Sequence, residues 1–251
     1  MSRCTFVWAH GLNSCMAHED ELGLFDWSSC EPDSRVVRYD ARGHGGCECY
    51  NYEERTYRWS AMVDDMLRAP GQGPFVAGGA SMGAAVALWT ALRAPRRVQA
   101  LVLAVPPRAW EDRAAGVAGY EDAARTVEDD GLAAWAEVVR RRPQPRIFAE
   151  ELPEAGEIGV RHLLKMDEKV IPPLLRGAAA SDLPSREELR SIVVPALLLG
   201  WEGDDDHPLT TLEALAEHLV LSEVEVAHDL AGIRKWPERV RAFLGDLCQW
   251  E

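Results

Sequence analysis

Residues 75–92 read Phe-Val-Ala-Gly-Gly-Ala-Ser-Met-Gly-Ala-Ala-Val-Ala-Leu-Trp-Thr-Ala-Leu. A short apolar run leads into the pentapeptide Gly79-Ala80-Ser81-Met82-Gly83, and an alanine-rich run leads out of it. The context predicts a strand, a sharp turn and a helix. A serine forced into such a turn carries strained backbone dihedrals, and flanking glycines let the chains pass closely. The turn lifts the hydroxyl off the sheet edge and aims the first N–H groups of the helix at whatever the oxygen attacks. The plainer alternative, a serine that N-caps a Gly/Ala-rich helix, explains the pentapeptide but not the strand before it.

Three further segments stand around this one in a fixed order. Phe6-Val7-Trp8-Ala9-His10-Gly11 reads as a core strand and the turn behind it. Arg38-Tyr39-Asp40-Ala41-Arg42-Gly43-His44-Gly45 reads as the end of the next strand and its loop, and residues 195–208 as a later strand with an acidic loop. With the serine turn, the four segments resemble the α/β-hydrolase fold family: its serine esterases, enol-lactonases and cofactor-free haloperoxidases. The resemblance runs over nearly the whole chain. It implies a mostly parallel twisted sheet flanked by helices, and a catalytic triad in the chain order serine, acid, histidine.

The rhythm of the chain agrees. Apolar runs at 5–9, 35–39, 74–77, 100–105, 193–199 and 223–227 are short, rich in Val and Leu, and mostly not alternating. Such runs suit parallel strands covered on both faces. Helical patterns fall between them at 56–68, 82–94, 208–219 and 237–247. Residues 106–183 break the alternation: amphipathic stretches at 131–142 and 157–165 are punctuated by Pro143, Pro145, Pro153, Pro172 and Pro173. The chain therefore divides into a core of residues 1–105 and 184–251 and a helical cap of residues 106–183 inserted between core strands. Trp110 and Trp135 are candidate substrate contacts of that cap, or else pack it onto itself. Ser185-Arg186-Glu187-Glu188 has the form of a capping box opening the helix that returns to the sheet.

Composition bounds the partners. The formal net charge of −14, with no compensating basic run, argues against nucleic acid and anionic membranes. Arg140-Arg141-Arg142 ends a predicted helix, where it complements the helix dipole. No apolar run approaches a membrane span, and the first strand begins too early to leave room for a signal peptide. These features imply a cytoplasmic protein, with its six cysteines reduced. The abundance of Ala, Arg, Gly and Asp suits a GC-rich bacterial genome. Cys47-x-Cys49 is not a zinc spacing, and no zinc, calcium or dinucleotide motif appears, so neither metal nor cofactor is expected. Cys15, Cys47 and Cys49 fall in loops that rim the expected active face; loop packing and a functional thiol both remain open there.

Acyl transfer needs a nucleophile, a base, a group to orient the base, and donors for the oxyanion. Ser81 is the candidate nucleophile. The resemblance places the acid shortly after the strand at 196–199, within Glu202-Gly203-Asp204-Asp205-Asp206-His207-Pro208, at Asp204, with Asp205 next and Glu202 a further candidate. It places the base after the last strand. His228 is the histidine there, 24 residues past Asp204. The family pattern has a Gly-His turn about seven residues before a helix-opening proline. Here His228 precedes Pro237 by nine, and Asp229 and Leu230 occupy the Gly and His places. His207, three residues after Asp204, is the rival base if its loop folds inward, and a chain with no conventional base is the third alternative. The resemblance makes the N–H groups of Leu12 and Met82 the oxyanion donors and gives His10 and His44 structural roles. The expected activity is hydrolysis of a small carboxylic ester or lactone through an acyl-enzyme. The alternatives are a biosynthetic elimination, cyclisation or C–C cleavage, or a non-catalytic ligand-binding relative.

Overall fold

The computed structural model describes residues 3–47 and 51–247. Six strands form one sheet: β1 (Cys4–Ala9), β2 (Ser34–Tyr39), β3 (Phe75–Ala80), β4 (Val98–Ala104), β5 (Ala196–Trp201) and β6 (Ser222–Ala227). Their spatial order is β2-β1-β3-β4-β5-β6, and each neighbouring pair is parallel. Successive residues of the strands feed opposite cores. Val7, Ala77, Leu101, Leu103 and Leu198 pack on one face; Phe6, Trp8, Val76, Val102, Leu197 and Leu199 pack on the other. Because both faces are covered, the strands read as continuous apolar runs rather than alternating ones.

Helices α2 (Trp59–Arg68), α3 (Met82–Arg93) and α10 (Leu209–His218) supply Met62, Met66, Leu88, Leu212 and Leu215 to the first core. Helix α12 (Trp236–Leu247) brings Trp236, Val240 and Phe243 to the second, beside Trp27. The edge strand β6 differs: Glu223 and Val224 are exposed, and Glu223 and Glu225 face Arg239 of α12. Charged side chains on an edge discourage a further strand from pairing there.

Between β4 and β5 the chain forms α4 (Arg113–Asp130), α5 (Leu132–Arg140), α6 (Arg146–Ala149), α7 (Ala155–Leu163) and α8 (Ile171–Ala179). Ala124, Trp135, Val160, Leu163 and Leu175 give these helices an apolar cluster of their own. The short α9 (Arg186–Leu189) then leads to β5. Its capping box is complete: Ser185 Oγ accepts from the Glu188 N–H, and the Glu188 carboxylate accepts from the Ser185 N–H. Among the described residues no helix is long and apolar enough to cross a membrane.

The strand order sets where a ligand fits. From β1 the chain steps outward to β2, then returns to β3 and continues the other way. The reversal lies between β1 and β3, and in open α/β sheets a crevice forms outside the carboxyl ends of such strands.

Candidate active site

Ser81 ends β3 and opens α3 with φ 53° and ψ −114°, a region that L-residues seldom adopt. The glycines around it are a matter of space. A Cβ on Gly79 would lie 2.7 Å from the Ala9 carbonyl oxygen, and one on Gly83 would lie 2.7 Å from the Ala9 carbonyl carbon. The close crossing of β1, the turn and α3 therefore excludes any side chain at either position. The Ser81 N–H donates to Ala104 O at 3.0 Å, and Ser81 O accepts from the Ala85 N–H at 3.1 Å. The strained residue is thus fixed from both sides.

The imidazole beside Ser81 comes from the loop after β5. His207 Nε2 lies 2.8 Å from Ser81 Oγ, and its Nδ1 lies 2.7 Å from Asp204 Oδ2. Asp204 Oδ2 also accepts from Trp201 Nε1 at 2.9 Å, while Oδ1 accepts from the Asp206 N–H at 2.9 Å. The Asp204 side chain is only 7% exposed. Burial pushes its carboxyl upward, but the hydrogen bond and charge of His207, with the Trp201 and Asp206 donors, outweigh that and hold it at about 2. An ionised Asp204 fixes the proton on Nδ1 and leaves the Nε2 lone pair for the serine hydroxyl.

The loop folds inward because two distant segments hold it. The Arg146 N–H donates to Gly203 O at 3.2 Å, and the Arg108 N–H to Asp206 O at 3.1 Å. Pro208 then stands at the N-cap of α10, and the ring of Trp201 stands edge-on to His207 with centroids 6.2 Å apart. Trp201 is itself stacked on Trp236.

The sequence expectation for His228 does not hold in the structure. His228 leaves the edge strand toward solvent, 71% exposed, with its Nδ1 3.0 Å from Glu202 Oε1. Asp229 turns back to cap α11 (Leu230–Ile233), accepting from the Gly232 N–H, so nothing draws the preceding histidine inward. Glu202 is occupied by that surface pair. Asp205 is exposed, and the imidazole partner falls to Asp204 instead.

The turn after β1 lies against the serine: a Cβ on Gly11 would sit 3.4 Å from Ser81 Cβ. Two buried imidazoles brace this turn. His10 Nδ1 donates to Gly11 O at 2.8 Å, and its Nε2 accepts from the Ala41 N–H at 3.0 Å. His44 Nδ1 donates to Arg42 O at 3.0 Å, and its Nε2 accepts from the Asn13 N–H at 3.2 Å. Burial lowers both, His44 to about 3 with His10 adding to the effect. Neutral rings can accept from a backbone N–H; imidazolium cannot. Leu12 is thus held between two braced residues, Gly11 and Asn13. Met82 begins α3, where the first N–H groups have no intrahelical partner.

A cavity of about 490 Å³ lies between the inserted helices and the acidic loop, lined among others by Asn13, Arg113, Tyr120, Trp135 and Asp204. The Trp135 indole N–H is buried without a hydrogen-bond partner among the described residues. Trp110 does not line this cavity. Its N–H meets the Asp182 carboxylate, its indole donates to Pro184 O at 2.9 Å, and the Arg186 guanidinium lies over its ring. It ties the start of the insertion to its end.

Residues 6–237 match the model of the alpha/beta hydrolase family. The chain belongs to that family. It is 26% identical over 216 residues to 3-oxoadipate enol-lactonase 1 of Acinetobacter baylyi, covering 84% of this chain and 77% of the relative. Enol-lactonase 2 of the same organism is 28% identical over 204 residues, 76% and 69% of the two chains. Among solved structures, a thermophilic esterase from Thermogutta terrifontis superposes with a TM-score of 0.78 at 23% identity, covering 99% and 90% of the chains. The enol-lactonase from Burkholderia xenovorans superposes with a TM-score of 0.74 at 19% identity, covering 99% and 91%. At those identities the structural likeness speaks to the fold.

Proposed function

We propose that the chain is a serine hydrolase of small carboxylic esters or lactones, acting through an acyl-enzyme. The observation that carries this is the unbroken chain Ser81 Oγ–His207–Asp204, with contacts of 2.8 Å and 2.7 Å. In this reading His207 Nε2 takes the hydroxyl proton as Ser81 attacks the carbonyl carbon. Asp204 holds the ring and offsets the imidazolium charge. The oxyanion is received by the N–H groups of Leu12 and Met82, each worth about 3 kcal/mol of transition-state stabilisation. His207 then passes its proton to the leaving alkoxide. A water, activated by the same nitrogen, hydrolyses the acyl-enzyme and restores Ser81. The inserted helices of residues 106–183 act as a cap that shapes the cavity and selects the acyl or alcohol portion. Enol-lactonase relatives support a lactone or an enol ester as the substrate class.

An irregular histidine after β6 would favour the elimination or non-catalytic alternatives; the 2.8 Å contact of His207 with Ser81 Oγ supports the hydrolase reading instead. A fluorophosphonate should trap Ser81, located by peptide mass mapping, and Ser81→Ala should abolish turnover of a p-nitrophenyl ester while the variant melts as a folded protein. Undiminished turnover in Ser81→Ala would end this reading.

A further inference from the structure

Cys15 lies at the start of α1 (Met16–Leu22), on the face where that helix meets α7. Its Sγ is 3.5 Å from His162 Nδ1, and His162 Nε2 is 2.9 Å from Glu21 Oε2. The hydrogen bond from His162 and the charge of Arg161 beside it hold Glu21 below the usual carboxylate range. An ionised Glu21 accepts from Nε2 and so orients the ring with Nδ1 toward the thiol. Nucleophile, base and orienting carboxylate therefore stand in line, in the order that activates a cysteine. None of the three belongs to the Ser81 site.

The surroundings fit a reaction centre better than plain packing. Cys15 and His162 both line a cavity of about 190 Å³, together with Asn13, Lys165 and Met166. His18 stacks on His162 with centroids 5.1 Å apart and is kept neutral, at about 4, by burial and by His162. It holds the ring plane without competing for the thiol, since its own Nδ1 is bonded to Ser14 Oγ at 3.0 Å. Cys30 offers the contrast. It is more enclosed, 0% exposed against 7% for Cys15, and its thiol donates to Pro237 O and meets no imidazole among the described residues.

We propose that Cys15, His162 and Glu21 form a second, thiol-based site that captures small carbon electrophiles entering this cavity. The thiol proton passes to His162 Nδ1 as Sγ bonds to carbon. With a haloacetamide the carbon–halogen bond breaks and halide leaves; the imidazolium then loses its proton to water. With an activated alkene the electron pair moves to the α-carbon, which takes the proton back. Burial pushes the Cys15 thiol up, so it rests protonated and needs a base at the moment of attack. Asn13 lines both this cavity and the larger one.

The test is timed labelling of the full chain with iodoacetamide under native conditions, followed by peptide mass mapping. Cys15 should label at least about tenfold faster than Cys30, and His162→Gln should slow Cys15 by about tenfold or more. Ser81→Ala should leave Cys15 labelling unchanged, which separates this site from the hydrolase reading. If Cys30 labelling rises in His162→Gln, that variant has opened, and Glu21→Gln decides in its place: its exposed position spares the fold, and Cys15 should slow while Cys30 does not change. Equal labelling of Cys15 and Cys30 in the native chain, or an undiminished Cys15 rate in a variant whose Cys30 stays protected, overturns the proposal.

Discussion

His207 follows Asp204 by one turn of chain, and its two ring nitrogens join Asp204 Oδ2 to Ser81 Oγ at 2.7 Å and 2.8 Å. Both residues that reach Ser81 in this relay therefore come from a single loop after β5, while His228 at the end of β6 faces solvent. The consequence for mutagenesis is sharp. His207→Ala should lower kcat for an ester substrate by about 10⁴-fold or more, the loss typical of removing a triad base. His228→Ala removes only an exposed pair with Glu202 and should leave kcat and KM within about twofold. Steady-state kinetics on the two variants side by side decides between the loops.

The difference in legibility between these two histidines is physical. The serine turn could be read from sequence because its requirements are local: a strand, a strained residue, and two glycines where the backbones cross. Asp204 followed from the resemblance, which places the acid shortly after this strand. His207 depended on the inward fold of its loop, and that fold is held by Arg146 N–H on Gly203 O and Arg108 N–H on Asp206 O. Both donors lie in or beside the inserted segment, far away in sequence. The legible trace was the spacing Asp-x-x-His before a helix-opening proline, which brings an imidazole back over the carboxylate three residues earlier. The strands were legible from their apolar runs, though β3 and β4 each reach two or three residues beyond the predicted 74–77 and 100–105, β3 through Gly78 to Ala80 and β4 through Val98. For Trp110 the sequence leaves substrate contact and packing both open; its φ of 50° and its bonds to Asp182 and Pro184 are those of a joint.

Asp204 also sets a pH dependence. Its folded value, about 2, lies below the ordinary 3.8, so the unfolded chain takes up its proton first as pH falls. The stabilisation is complete above about pH 5 and is lost as pH falls through 4 toward 2. Nearly two units correspond to about 2 kcal/mol. Other groups titrate in the same range or above it. Glu19, raised to about 7 by burial against the pull of Arg38 and Trp8, acts in the opposite sense between about pH 4.5 and 7. They cancel in a difference measurement. The unfolding free energy of the wild type minus that of Asp204→Asn, from urea melts at each pH, should therefore shrink by about 2 kcal/mol between pH 5 and pH 2. A pH-independent difference would show that the carboxylate gains nothing from its partners.

The two tryptophans of the insertion should separate by the same logic of partners. Trp110→Phe loses the hydrogen bond to Pro184 O and weakens the Arg186 contact, so it should cost about 1 kcal/mol of stability. Because Trp110 does not line the cavity between the insertion and the acidic loop, KM should stay within about twofold. Trp135→Phe works in reverse. The indole N–H it removes is buried and unpaired, a state that costs roughly 1–3 kcal/mol, so stability should hold or rise. Yet Trp135 forms part of the cavity wall, and the smaller ring with no donor should raise KM severalfold. Denaturant melts and steady-state kinetics on both variants give four numbers whose pattern is fixed in advance. If Trp135→Phe loses stability and keeps its KM, the ring is packing material and the cavity it lines is not where substrate binds.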